Sequence, residues 1–178
     1  MADLKGTRTY ANLMEAFAGE SQARNKYTFY ASKAQKDGFR QIFNIFTETA
    51  ANEKEHAELW FKHFHGIGTT AENLADAAAG ENFEWTEMYK RMAEEARAEG
   101  FNDIALQFEG VGSVEKAHEE RYLKLKSNIE NGLVFEREES VTWKCDNCGF
   151  KYEAKKAALE CPVCKHPQAY FEIDAIAY

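Results

Sequence analysis

The chain has 178 residues, 44% of them hydrophobic and 29% charged, with a formal net charge of −8. Such a composition suits a soluble globular protein, either one large domain or a medium one with a small appendage. The acidity argues against nucleic acid or an anionic membrane surface as the main partner. No apolar run approaches the ~20 residues of a membrane span, and the start, MADLKGTRTYANLMEAF, lacks a secretory pattern, so the expected location is the cytoplasm.

Residues 8–36 read as a helix whose apolar face carries Leu13, Phe17, Tyr27 and Ala31, with Glu20 in the same face. Gly38 breaks it, and a second helix is expected over about 39–65. There Glu53 and His56, three apart, share a face with Phe39, Ile42, Phe46, Ala50, Ala57, Trp60 and Phe64. An acid and an imidazole in an apolar stripe need a partner, because a buried carboxylate otherwise gives up its charge. Residues 66–82 read as a long connection with room for a short helix, and a third helix is expected over about 83–98. A fourth runs from about 101 to 130 and stops at Asn131-Gly132. Beyond it VFERE, VTWKC and AYFEI read as short strands.

The helical part repeats itself. A shift of 62 superposes Ala31, Gly38, Phe39, Ile42, Phe46, Glu53 and His56 on Ala93, Gly100, Phe101, Ile104, Phe108, Glu115 and His118. Two helix pairs joined by a long crossover predict a mainly α fold, a ferritin-like four-helix bundle over residues 1–137. A small β-rich metal domain is expected over 138–178. Two Glu-x-x-His pairs, plus a glutamate from each remaining helix, form a di-iron or di-manganese carboxylate constellation. Glu20 serves for the first helix and Glu84 or Glu87 for the third. Imidazole and hard oxygens suit iron or manganese, and the summed charge of these glutamates is close to that of two ferrous ions.

All four cysteines lie within 145–164, as Cys145-x-x-Cys148 and Cys161-x-x-Cys164. Paired knuckles without a secretory signal favour a tetrahedral metal over disulfides, and both structural zinc and redox iron satisfy four sulfurs. Trp143, Phe150, Tyr152, Tyr170 and Phe171 are placed to keep such a site dry. GIGTTA (66–71) fits a dinucleotide fingerprint, but a helix rather than the required strand leads into it. His63 and His65 are expected to solvate a helix end, and His166 to lie at the surface.

Glu20, Glu53-x-x-His56, Glu84-x-x-Glu87 and Glu115-x-x-His118, followed by CxxCG and CPxC, resemble the rubrerythrin family over essentially the whole chain. The resemblance implies a di-iron bundle, oxo- or hydroxo-bridged when oxidised, joined to a rubredoxin-like Fe(Cys)₄ domain, with zinc an alternative in recombinant material. It implies peroxidase activity in oxidative-stress defence, reducing hydrogen peroxide to water. Electrons would come from rubredoxin or a separate NAD(P)H-dependent reductase. Carried over, Glu53 and Glu115 would bridge the irons, Glu20 and Glu87 would bind the first, and Glu84 and His118 the second. The first iron would move between Glu87 and His56 with redox state, and Tyr27 would donate a hydrogen bond to a ligating carboxylate. A homodimer is implied, head-to-tail or domain-swapped, or a tetramer. The competing expectations are iron storage, which leaves the cysteines unexplained, and a zinc ribbon on a merely structural bundle.

Overall fold

In a computed structural model the chain is mainly helical, with a small antiparallel sheet at the C-terminal end. Residues 4–175 are described. It divides into two compact units, Met1–Ile67 and Gly68–Tyr178. Among the described residues no helix is long and apolar enough to cross a membrane.

The first unit is a helical hairpin of α1 (Arg8–Lys36) and α2 (Arg40–Phe64). Thr7 caps α1 by accepting from the Tyr10 amide at 3.1 Å. The hairpin turns at Gly38, whose φ of +82° is the left-handed conformation that ends a helix most cheaply in glycine. The Phe39 amide reaches back to the Ala34 carbonyl at 2.9 Å, which closes the cap, and α2 begins at once. Only alanines are fully buried here, Ala31 and Ala34 from α1 and Ala50 and Ala57 from α2, so small side chains set the helix contact. Phe39 and Ile42, expected in a buried stripe, are 57% and 46% exposed.

The second unit starts with α3 (Thr70–Phe83), a π-helical turn (Glu84–Met88) and α4 (Tyr89–Ala98), which make one continuous rod. The expected connection over 66–82 is thus helical from Thr70 onward. Its start is a reciprocal cap. Thr69 Oγ1 accepts from the Glu72 amide, and the Glu72 carboxylate accepts from the Thr69 amide at 2.8 Å. GIGTTA is therefore the lead-in to a helix, preceded by α2. Helix α5 (Asn102–Glu130) returns along the rod after a turn at Gly100 that repeats the Gly38 cap, with Phe101 bonding the Ala96 carbonyl at 2.8 Å. Ala93, Ala96 and Ala105 form the buried contact, with Phe108 against them. The repeat extends to ring packing: Tyr27 lies 6.1 Å from Phe46, and Tyr89 6.0 Å from Phe108.

The sheet has the order β2-β1-β3, with β1 (Glu136–Cys145), β2 (Lys151–Lys156) and β3 (Phe171–Ile173). Residues 136–138 of VFERE and the whole of VTWKC are thus parts of one strand, bent by an irregular register between Glu136 and Val141, while Val134 and Phe135 lie before it. Its small core gathers Trp143, Cys145, Ala157, Cys161 and Phe171, all buried. Trp143 spends its indole N–H on the Ala154 carbonyl at 3.0 Å.

Candidate metal centres

The cysteines converge from two knuckles built alike. The Cys145 amide bonds the Phe150 carbonyl at 2.8 Å, and the Cys161 amide bonds the His166 carbonyl at 2.8 Å. Sulfur separations are 3.6 Å for Cys145–Cys164 and 3.7 Å for Cys148–Cys161. A disulfide needs about 2.05 Å. A tetrahedron with metal–sulfur bonds of about 2.3 Å has edges of about 3.8 Å, so the four sulfurs fit one metal. Backbone amides aim at the sulfurs. The His166 amide holds the Cys164 thiol down at about 6, helped by bonds from Cys148, Asn147 and Cys161. The Phe150 amide works in the same direction on Cys148, but desolvation and the neighbouring thiols push that group up to about 12. Cys145 and Cys161 are buried, and Cys148 is exposed. Of the expected aromatic shell, Trp143 and Phe171 are buried while Phe150 and Tyr152 stack at 5.7 Å. Tyr170 is 42% exposed and stands against the His166 ring at 4.5 Å. His166 is half-buried, not at the open surface.

Each helical unit carries its own three-residue set. In the first, His56 Nδ1 lies 2.8 Å from Glu53 Oε2 and 3.8 Å from Glu20 Oε1. In the second, His118 Nδ1 lies 2.7 Å from Glu115 Oε2 and 3.7 Å from Glu81 Oε1. The donor atoms of each set lie within 4.8 Å of one another. The two arrangements agree to 0.1 Å in each distance, so the repeat seen in the sequence extends to donor geometry. Burial and the Glu115 charge raise the Glu81 carboxyl above its usual range. A cation would relieve that repulsion.

Sequence reasoning passed over Glu81. The third-helix acids it offered were Glu84 and Glu87, and neither joins a metal-binding set among the described residues. Glu84 is half-buried in the π turn and close enough that, after burial, its charge is the main cause of a raised Tyr89 pKa. Glu87 is exposed. A signal for Glu81 was present: Ala18-Gly19-Glu20 recurs as Ala79-Gly80-Glu81, at a shift of 61 rather than 62. Tyr27 lies among the rings of Tyr30 and Phe46 on α1 and α2.

The rubrerythrin family model matches residues 11–126, and the model of the rubrerythrin rubredoxin-like domain matches residues 143–172. The chain is 51% identical to rubrerythrin of Porphyromonas gingivalis, over 95% of this chain and 91% of that one. It is 50% identical to rubrerythrin-1 of Clostridium acetobutylicum, over 97% of both. Solved nigerythrin in its fully reduced, all-ferrous state is 28% identical, covering 97% of this chain and 91% of that one, with a TM-score of 0.37. With two carboxylate-imidazole sets followed in the sequence by a four-cysteine site, and these matches over nearly its whole length, the chain belongs to the rubrerythrin family.

Proposed function

We propose that the protein is a peroxidase, reducing hydrogen peroxide to water at two irons held by the glutamate and histidine sets. Its electrons would arrive through an iron held by Cys145, Cys148, Cys161 and Cys164. The carrying observation is that one chain holds hard oxygen-nitrogen donor sets and a four-sulfur set. Iron storage has no use for the second, and a zinc ribbon has none for the first.

Glu53 and Glu115 are the most shielded members of their sets, their side chains 16% and 14% exposed, which suits the bridging role the family implies. Glu20 and Glu81 would serve as terminal ligands with His56 and His118. Glu84 is proposed as the seventh ligand in place of Glu87, since it is half-buried beside Glu81 whereas Glu87 is exposed. Iron bound there supplies the two electrons that cleavage of the O–O bond requires. Two protons complete two waters. Tyr89 can hold one at its phenol oxygen, because burial and the charges of Glu84, Glu115 and Glu81 keep that group protonated. Tyr27, its counterpart in the repeat, is proposed as the equivalent donor to a carboxylate of the first set.

The electron donor is proposed to be rubredoxin or an NAD(P)H-dependent reductase, since GIGTTA follows a helix and offers no nucleotide-binding turn. A homodimer is proposed as well. Phe29, Phe39 and Ile45 on the first unit are 66%, 57% and 54% exposed, and Leu106 and Val114 on the second are 61% and 49%. Apolar surface of that kind is what a second copy would cover.

Anaerobic single-turnover kinetics test the reading. Iron-loaded, pre-reduced protein should consume one peroxide per pair of helical irons, and do so faster than it consumes oxygen. Metal analysis should give about three irons per chain, with thiolate-to-iron absorption in the visible. Rapid oxygen-driven uptake of many irons per chain would favour storage instead.

A further inference from the structure

We propose that Glu119 is a positioning residue, whose carboxylate clamps the π turn so that Glu81 stays turned toward Glu115 and His118. The proposal rests on those residues being metal ligands.

The repeat shows why a clamp is needed. Ala18-Gly19-Glu20 matches Ala79-Gly80-Glu81 at a shift of 61, but Tyr27, Ala31 and Ala34 match Tyr89, Ala93 and Ala96 at 62. One extra residue therefore sits between Glu81 and Tyr89, and the π turn Glu84–Met88 absorbs it. There the Tyr89 amide bonds the Glu84 carbonyl, five residues back instead of four. Regular α-helix through the same stretch would swing everything before the insertion by about 100° relative to Tyr89. Glu81 and Tyr89 could not then both keep their repeat positions. Such turns are rare, and they occur frequently at functional sites.

Glu119 grips the turn on both sides of Glu84. One carboxylate oxygen accepts from Asn82 Nδ2 at 3.0 Å, and the other from Trp85 Nε1 at 2.6 Å. Lys116 Nζ stands 5.4 Å from the Trp85 ring centre and holds the indole from its face. Thr86 Oγ1 donates to the Asn82 carbonyl at 2.6 Å, satisfying an acceptor in the last turn of α3, just before the π turn. All the charged anchors come from α5, the helix that carries Glu115 and His118. Clamp and facing ligands therefore move as one body.

The first unit supplies the control. Its α1 is regular throughout, and the residue matching Glu119 at a shift of 62 is Ala57, a buried packing residue. Lys116 has its counterpart in Lys54, so the lysine is common to both units. The carboxylate occurs only opposite the rod that carries the extra residue.

The test uses the full-length protein freed of metal and titrated anaerobically with cobalt(II). Thiolate charge-transfer bands report the cysteine site, and weaker d–d bands report the oxygen-nitrogen sites. Glu119→Ala should load the cysteine site like the unaltered protein but bind the helical cobalt about 10- to 100-fold more weakly, with altered d–d bands. Trp85→Phe, which removes the indole N–H, should give a smaller loss in the same direction. The double variant should lose no more than Glu119→Ala alone, because both act through one interaction. A folded Glu119→Ala that binds helical cobalt with undiminished affinity overturns the clamp. Should that variant lose its helical circular dichroism, Glu119→Gln and Trp85→Phe decide the matter by the same readout, with undiminished affinity in both again overturning it. Unaltered protein that binds no helical cobalt overturns the metal reading itself, and the clamp falls with it.

Discussion

Gly149 and Lys165 hold the same place in the two cysteine knuckles, each four residues after the first cysteine, with φ of +76° and +62°. Their amides make the same bond, to the Cys145 carbonyl at 2.8 Å and the Cys161 carbonyl at 3.0 Å. The left-handed conformation is inexpensive for glycine and costs about 1–2 kcal/mol for a residue with a Cβ. Lys165 has little to offset it, since its 3.4 Å pair with Glu160 joins two largely exposed side chains. Lys165→Gly should therefore stabilise the module by about 0.5–1 kcal/mol, and Gly149→Ala should destabilise it by about 1 kcal/mol. Thermal denaturation of the iron-loaded protein, followed by its thiolate absorption, reads both changes within the module. A Lys165→Gly variant that melts lower would show that the turn is not strained.

Glu81 and Glu87 should separate cleanly as ligands. Glu81→Ala removes a carboxylate 3.7 Å from the His118 ring nitrogen, whereas Glu87→Ala removes an exposed one. Iron per chain in the helical sets should fall for the first variant and stay unchanged for the second, with the cysteine iron retained in both. Equal losses would restore Glu87 as a ligand.

That contrast marks how far the residue pattern could be read. Glu53, His56, Glu115 and His118 stand out because acid and imidazole recur at the same points of a repeat, and the structure brings each pair within 2.8 Å. Glu81 was hidden because the repeat changes step at the π turn, and a search at one fixed shift loses register there. The residues of α3 read only as a connection with room for a short helix, for a different reason. Their Ala-rich run has no apolar stripe, and only the Thr69-x-x-Glu72 cap announces the helix. Strand β2, KYEAKK, is mostly charged because only one face packs, through Tyr152 and Ala154. Exposure of Phe39 and Ile42 lay beyond pattern reading, since periodicity says which residues share a face but not what covers it.

The cap of α3 should be pH-sensitive. The Thr69 amide, and then its hydroxyl, hold the Glu72 carboxyl below its usual range. A carboxyl whose folded pKa is depressed contributes stability that is fully present above its unfolded value. That contribution disappears as pH falls through the lower folded value. Amide protection at residues 72–74 should therefore drop in acid below the ordinary carboxyl range. Glu72→Gln, which keeps an acceptor at every pH, should flatten the profile. Hydrogen exchange across the titration checks this, and an unchanged profile in Glu72→Gln would assign the fraying to another group.

If the proposed function holds, Cys161→Ser should separate electron supply from peroxide cleavage. Its sulfur is buried, 3.7 Å from Cys148, and belongs to the four-sulfur set, which shares no residue with the glutamate and histidine sets. Cys161→Ser replaces a thiolate with a far weaker metal ligand and should bleach the thiolate-to-iron absorption. Steady-state peroxide consumption with an external reductant should then fall by about 10-fold or more, the scale seen when a metal site is disturbed. One round of peroxide reduction by pre-reduced protein should survive, because the helical donors are untouched. Stopped-flow measurement of both rates on the same preparation checks the separation. Should the steady state survive the loss of colour, electrons reach the helical irons without passing through the cysteines. Should the single round be lost as well, the two centres depend on one another in a way that separate donor sets do not explain.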